Sequence, residues 1–428
     1  MTAAVAKVLA KLRDGSWFER KRVRVAAAML LAIELVVFAF LVAGTHGWIV
    51  PLQSPTTTDF VSFYAAGALA DAGTPALAYD QAAHHAAEER ATEPGIKYQY
   101  FNYPPVFLLL CAALATLPYL VAFMVFEGAS LALWLFVGCR ILRDHSLTAL
   151  VVLLAFPMVF WNFGLGQNAF LTAGLFGAAT LLIDRRPVVA GLLFGALCYK
   201  PQFGLLIPLA LAAGGYWRVF AAAAVSVAML VVASLALFGV ETWQAFLYTA
   251  GASPAMYQSG RILFAGMANP FGGARLVGAG VWLAYAVQAA ATLAGAAVVV
   301  VVWRRRLSLP ARAAILAAAT LVAAPLSLLY DLMLGAVAAA WLVRDRGSAA
   351  ALPWERAALA ALYLFLFAAS AVLVADRTLV ERWQVPAFPL AALALLLIAV
   401  ARAWREAALQ RGATEGLPIP VESRSAVR

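Results

Sequence analysis

Apolar runs long enough to cross a bilayer recur along nearly the whole of this chain, and that property closes off most folds. A helical crossing needs roughly 20 apolar residues for about 30 Å of hydrocarbon. Backbone inside lipid must also satisfy its own hydrogen bonds, so repeated runs of this kind point to an all-α polytopic membrane protein. With 64% apolar and 12% charged residues, no stretch offers the composition of a separate water-soluble module. The runs fall near 25–44, 119–139, 147–162, 168–183, 187–199, 203–214, 218–238, 276–303, 311–325, 327–343, 356–374 and 384–403, which predicts twelve transmembrane helices. Residues 105–117 are apolar but too short and are bounded by prolines, so an interfacial or re-entrant helix is expected there.

Charge sets the orientation. If 105–117 does not cross, roughly three-quarters of the 31 Lys and Arg lie on one side, which by the positive-inside bias is the cytoplasm. The opposite choice flips every later loop and leaves fewer than half there. Both ends are therefore expected inside: residues 1–24 as a cytoplasmic segment and signal anchor carrying Lys7, Lys11, Arg13, Arg20, Lys21, Arg22 and Arg24, and 411–428 as a disordered cytoplasmic tail. The membrane domain spans 25–403, with long outer loops at 45–118 and 239–275. The same bias accounts for the net charge of +10, so nucleic-acid binding is excluded. Cys111, Cys139 and Cys198 lie in or beside apolar runs without pairing or ligand spacing.

In so apolar a chain, polar residues on the outer side are the candidates for chemistry. Asp59 is the first carboxylate after the first run and stands before Phe60, Phe63 and Tyr64. A carboxylate among aromatic walls can be raised toward neutrality and accept a proton from a hydroxyl, although the same position suits a helix cap. Asp71 and Asp80 read as surface acids. His84, His85, Glu88 and Glu89 invite a metal, but adjacent histidines face different ways and no zinc spacing follows. Tyr98, Tyr100, Phe101 and Tyr103 suit an interfacial belt or a platform beside a sugar. Lys200 is a lone cation between two short apolar runs, fit for an anionic head group or for snorkelling. Gln167 and Asn168 offer amides at a run's mouth, Asp331 suits a helix start, and Arg261 and Arg275 are candidate anion contacts. Glu34 and Glu127 sit inside runs, as functional groups or as protonated partners of neighbouring helices.

The segments Asp59–Gly67, Tyr79-Asp80, Tyr103-Pro104-Pro105, Gly166-Gln167-Asn168 and Tyr199-Lys200-Pro201-Gln202 together resemble glycosyltransferase family 87. That resemblance implies a GT-C-like fold with juxtamembrane helices in the first outer loop, and transfer of a hexose, mannose favoured, from a polyprenyl-phosphate donor to a glycolipid or glycan acceptor. It implies Asp59 as the general base of an inverting displacement on the periplasmic or extracellular face of a bacterial-type inner or plasma membrane. Lys200, Gln167 and Asn168 would meet the donor phosphate or sugar, with Tyr64, Tyr103, Gln202 and Arg261 as further contacts. Two features depart from the pattern: no Asp-x-Asp pair flanks Asp59, so neither metal nor other cofactor is expected, and no histidine follows His145. A transporter or flippase of lipid-linked saccharides, or a non-catalytic envelope scaffold, shares the same spans.

Overall fold

The computed structural model describes residues 3–43, 58–258, 263–345 and 347–414, and every regular element among them is helical apart from one isolated antiparallel bridge, Met267 to Leu328. Helix α1 (Ala3–Asp14) lies before the first long helix, α2 (Arg20–Ala43). The outer segment from Thr58 holds α3 (Phe60–Asp71), a 3₁₀ turn at Pro75–Tyr79, α4 (Gln81–Ala91) and α5 (Pro105–Ala115). Then follow α6 (Tyr119–Leu142), α7 (Leu147–Leu154), α8 (Pro157–Leu165), α9 (Ala169–Leu182), α10 (Pro187–Ala196), α11 (Ile207–Gly214) and α12 (Trp217–Gln258). The remainder comprises α13 (Pro270–Leu276), α14 (Val281–Arg304), α15 (Leu309–Ala323), α16 (Met333–Arg344), α17 (Glu355–Ala375), α18 (Arg377–Trp383) and α19 (Ala387–Thr414).

Six helices, α2, α6, α12, α14, α17 and α19, are long and apolar enough to cross a membrane, and α7 with α8, bent by 58°, would make a seventh. The break falls at Pro157, which has no N–H to continue the ladder. The other expected crossings are α9, α10, α11, α15 and α16, none longer than 15 residues. Their surroundings explain why they need not match the bilayer. Helix α15 is buried at every position from Ala311 to Ala323, so it meets protein rather than lipid. The expected outer loop at 239–275 is corrected in its first part: α12 continues to Gln258 through a kink at Gly239, whose φ of 77° only glycine adopts readily. The segment at 105–117 forms an 11-residue helix, about 16 Å long and half a hydrocarbon core, as expected of a non-crossing element.

Two arrangements position the site. Helix α3 lies on α5 so closely that a Cβ on Gly67 would stand 2.1 Å from the Cys111 carbonyl oxygen. Beneath them, α6, α9 and α16 pack on one another in the same direction. Their N-terminal ends gather near Asp59 and Asp331, and their C-terminal ends carry Arg140, Arg185 and Arg344. At that second end Arg402, 2% exposed, is bonded to the carboxylates of Glu355 and Asp345 and to the Leu342 carbonyl, joining α16, α17 and α19.

Candidate functional site

Asp59 stands one residue before α3, yet its side chain makes no cap bond; its Oδ2 instead accepts from Gln167 Nε2 at 2.7 Å. The Asp59 side chain is half-buried, so it is reachable from outside, while the atoms packed around it exclude most water. That burial raises the carboxyl to about 6, and the Gln167 hydrogen bond holds it lower than burial alone would. Gln167 is fixed from its other end, since the Tyr103 hydroxyl donates to its Oε1 at 3.3 Å. Burial pushes the Tyr103 phenol well above its usual range, so it stays a proton donor. The Tyr79 hydroxyl in turn bonds the Tyr103 carbonyl at 2.8 Å.

The turn before α9 is what brings Gln167 to Asp59. Gly166 has φ of 68°, and a Cβ there would lie 2.6 Å from Phe60 Cβ and 3.0 Å from a ring carbon of Phe123. Phe60 is itself enclosed by Phe63, Tyr119, Phe123 and Phe126, with ring centroids 5.5 to 6.2 Å away. From there an aromatic layer runs through Tyr103 and Phe107 to Tyr199, whose ring stacks on Phe107 at 5.1 Å. Tyr199 Oη and Thr172 Oγ1 are 2.7 Å apart.

That layer ends at the second charged group. Lys200 is only 3% exposed, so it does not snorkel; its Nζ lies 2.7 Å from Asp331 Oδ1 and over the rings of Phe203 and Tyr330. Asp331 Oδ2 accepts from the Leu328 backbone N–H at 3.0 Å, the helix-start role expected of it, in the turn that leads into α16. The Tyr103 phenol feels the charges of both Asp331 and Asp59, so it lies near both carboxylates. Beside it lies Asn168, fully buried and without a cap bond; its amide acts on the Tyr103 phenol, though by distance and angle neither side-chain polar atom completes a hydrogen bond with a described residue. Buried amides are ordinarily satisfied, so this one offers a donor and an acceptor to whatever enters.

The structure thus brings together Asp59, Gln167, Asn168, Tyr103 and Lys200. The rest of the expected set has other partners or lies outside this group. Tyr64 Oη donates to the Leu117 carbonyl at 2.9 Å, tying α3 to the start of α6. Gln202 is half-buried in the Pro201–Gly204 turn, and Arg261 lies outside the described residues. Arg275 donates to the Ala279 carbonyl at 2.7 Å. Asp80 caps α4 by accepting from Ala83 N–H at 2.8 Å.

Two buried groups carry more structure than the sequence suggested. His84 and His85 direct Nε2 at the carbonyls of Ser62 and Ile96, at 3.0 and 2.8 Å, so both ring N–H groups are donors there. His84 Nδ1 then faces Glu88 Oε1 at 3.5 Å, with both side chains sealed from solvent. Burial lowers His84 to about 4 and raises Glu88 to about 8, with the charge of Asp59 among the causes for Glu88. Among the described residues no three His, Cys, Asp or Glu side chains converge as a metal site would require. Glu127 Oε2 accepts from Asn162 Nδ2 at 3.1 Å, and Asn162 Oδ1 accepts the Ala169 N–H at 2.8 Å, which links α6 to the start of α9.

Comparison with known proteins gives one match: the model of glycosyltransferase family 87 matches residues 101–330, which include Tyr103, Gln167, Asn168 and Lys200. No curated protein and no solved structure matches the chain.

Proposed function

The chain belongs to glycosyltransferase family 87 and is a membrane glycosyltransferase, and from that premise we propose that it moves a hexose, mannose favoured, from a polyprenyl-phosphate donor to an acceptor hydroxyl with inversion. The acceptor oxygen attacks the anomeric carbon and the carbon–oxygen bond to phosphate breaks, its electron pair leaving with the lipid phosphate. Asp59 takes the hydroxyl proton. A single carboxylate suffices because one displacement inverts the centre and no glycosyl-enzyme forms.

The observation that carries this reading is the Asp59 carboxyl, half-buried, desolvated and brought to about 6. A base with that value is mostly ionised at neutral pH yet basic enough to share a proton in the transition state. Gln167 orients it, and the Asn168 amide meets sugar hydroxyls. Lys200 has three N–H directions, of which Asp331 takes one, and another would meet the departing phosphate. The N-terminal ends of α9 and α16 add positive potential where that phosphate develops charge. With no Asp-x-Asp pair beside Asp59, the step is written without a divalent cation.

The site end of the bundle is taken as the periplasmic or extracellular end, and the fold as GT-C-like. In this topology α7–α8, α9, α10, α11, α15 and α16 complete twelve crossings beside α2, α6, α12, α14, α17 and α19. The test is transfer from radiolabelled polyprenyl-phosphate mannose in membranes carrying the native protein or Asp59→Asn. The variant should lose about 100-fold or more in turnover, as expected for removal of a general base, with the protein level unchanged. Full transfer by Asp59→Asn would sink the assignment. Transfer from other polyprenyl-phosphate hexoses but not mannose would correct the sugar alone.

A further inference from the structure

At the opposite end of α6, α9 and α16 from Asp59 lies a cavity of about 450 Å³. Arg140, Arg143, Arg185 and Arg344 line it, together with His145. Its other wall is apolar, with Phe136, Val137 and Leu181 continuing onto the flank of the bundle, where Phe136 is 63% exposed. Helix α6 is 24 residues long, so this cavity and the start of α6 beside Phe60 are separated by about 36 Å, a full membrane thickness.

The arginines are not used up by the protein. Arg344 donates to the Ile141 carbonyl at 3.3 Å and lies over the Trp341 ring, but the side chains of Arg140, Arg143 and Arg185 make no hydrogen bond or ion pair with any described residue. Arg143 and Arg185 are close enough to Arg344 to repel it. Of the nearby carboxylates, Asp144 pairs with Arg20 at 3.4 Å and accepts from Ser146 N–H, Asp184 bonds the Tyr216 hydroxyl and Arg312, and Asp345 bonds Arg402 at 2.9 Å while also offsetting the charge of Arg344 in part. Four arginines around one cavity, beside acids that are shared with other partners, leave an excess of positive charge inside it. Guanidinium forks match phosphate geometry, and basic pockets between membrane helices on the inner side suit anionic head groups.

We propose that this cavity binds a phosphate group, with the apolar wall accepting the chain of an anionic lipid in the leaflet opposite the Asp59 end. Its volume lies within the about 300–1,000 Å³ of small-molecule pockets, which is more than a bare phosphate fills. The site is separate from the glycosyl-transfer site by the length of α6 and does not depend on that chemistry.

The test uses the full-length protein purified in detergent and native mass spectrometry. Dioleoyl-phosphatidylglycerol and dioleoyl-phosphatidylcholine are titrated against the native protein, the triple variant Arg140→Gln, Arg143→Gln, Arg185→Gln, and a control triple variant Arg24→Gln, Arg218→Gln, Arg304→Gln. All the replaced side chains are exposed, so the fold is expected to survive; gel filtration and circular dichroism check it. Expected is at least tenfold preference for phosphatidylglycerol, lost in the cavity variant and kept within twofold in the control. A second arm measures protection of the native protein against heat by millimolar inorganic phosphate. Protection by phosphate that the cavity variant loses, without preference between the lipids, would keep the phosphate site and overturn its lipid source. Equal phosphatidylglycerol binding by all three proteins, with no phosphate protection, would overturn the proposal.

Discussion

Replacing Gln167 by Leu removes the one hydrogen bond that holds the Asp59 carboxyl down, and the sign of the result follows directly. The carboxyl should rise above its value of about 6, less base is present at neutral pH, and the acid limb of kcat/KM against pH should move upward. An unmoved limb in Gln167→Leu would show that Asp59 is not the titrating base. Lys200→Met strands the Asp331 charge at 5% exposure and should cost about 3–5 kcal/mol, read as a lowered unfolding temperature in detergent. The double change Lys200→Met, Asp331→Leu should recover most of that stability but not transfer, which separates packing from phosphate contact. At this scale the sequence pointed to the polar groups but not to their partners. Asp59, Gln167, Asn168, Tyr103 and Lys200 stand out because polar groups are rare in so apolar a chain. Their pairing is invisible in spacing, because Asp59 and Gln167 are 108 residues apart and Lys200 and Asp331 are 131 apart.

Among the elements, the α8–α9 corner decides whether the site exists. Gly166→Ala places a methyl group against Phe60 and forces an L-residue into φ of 68°, a change costing about 1–3 kcal/mol. Turnover should fall more than stability warrants, because the displaced helix α3 carries Asp59. Transfer assays beside thermal melts would read both, and a variant with native turnover would remove the corner from the site's support. The long helices were legible from hydropathy alone. The kink at Gly239 was not, since glycine reads equally as an end or a bend, and the Pro157 break was absorbed into one apolar run. Helices α15 and α16 are 15 and 12 residues long, because apolar runs that face protein obey the packing of their neighbours rather than the thickness of a bilayer.

For the whole molecule, the shared direction of α6, α9 and α16 sets one end against the other. Lys97→Cys, near the Asp59 end, should react with a membrane-impermeant maleimide in intact cells, whereas Arg186→Cys, near the arginine end, should react only after lysis. Labelling of the two positions in the reverse order would invert the topology and move glycosyl transfer to the cytoplasm. The charge bias is the sequence's argument for this polarity, while the basic cavity was not legible there, since its arginines belong to three separate segments. The buried Lys200–Asp331 pair reaches further than the site. Lys200 is synthesised 131 residues before its partner, so during biogenesis an ammonium waits without a counter-ion until α15 has been threaded past it and the turn before α16 arrives. A chain cut short of Asp331 would leave Lys200 without that counter-ion, a defect that the finished protein conceals.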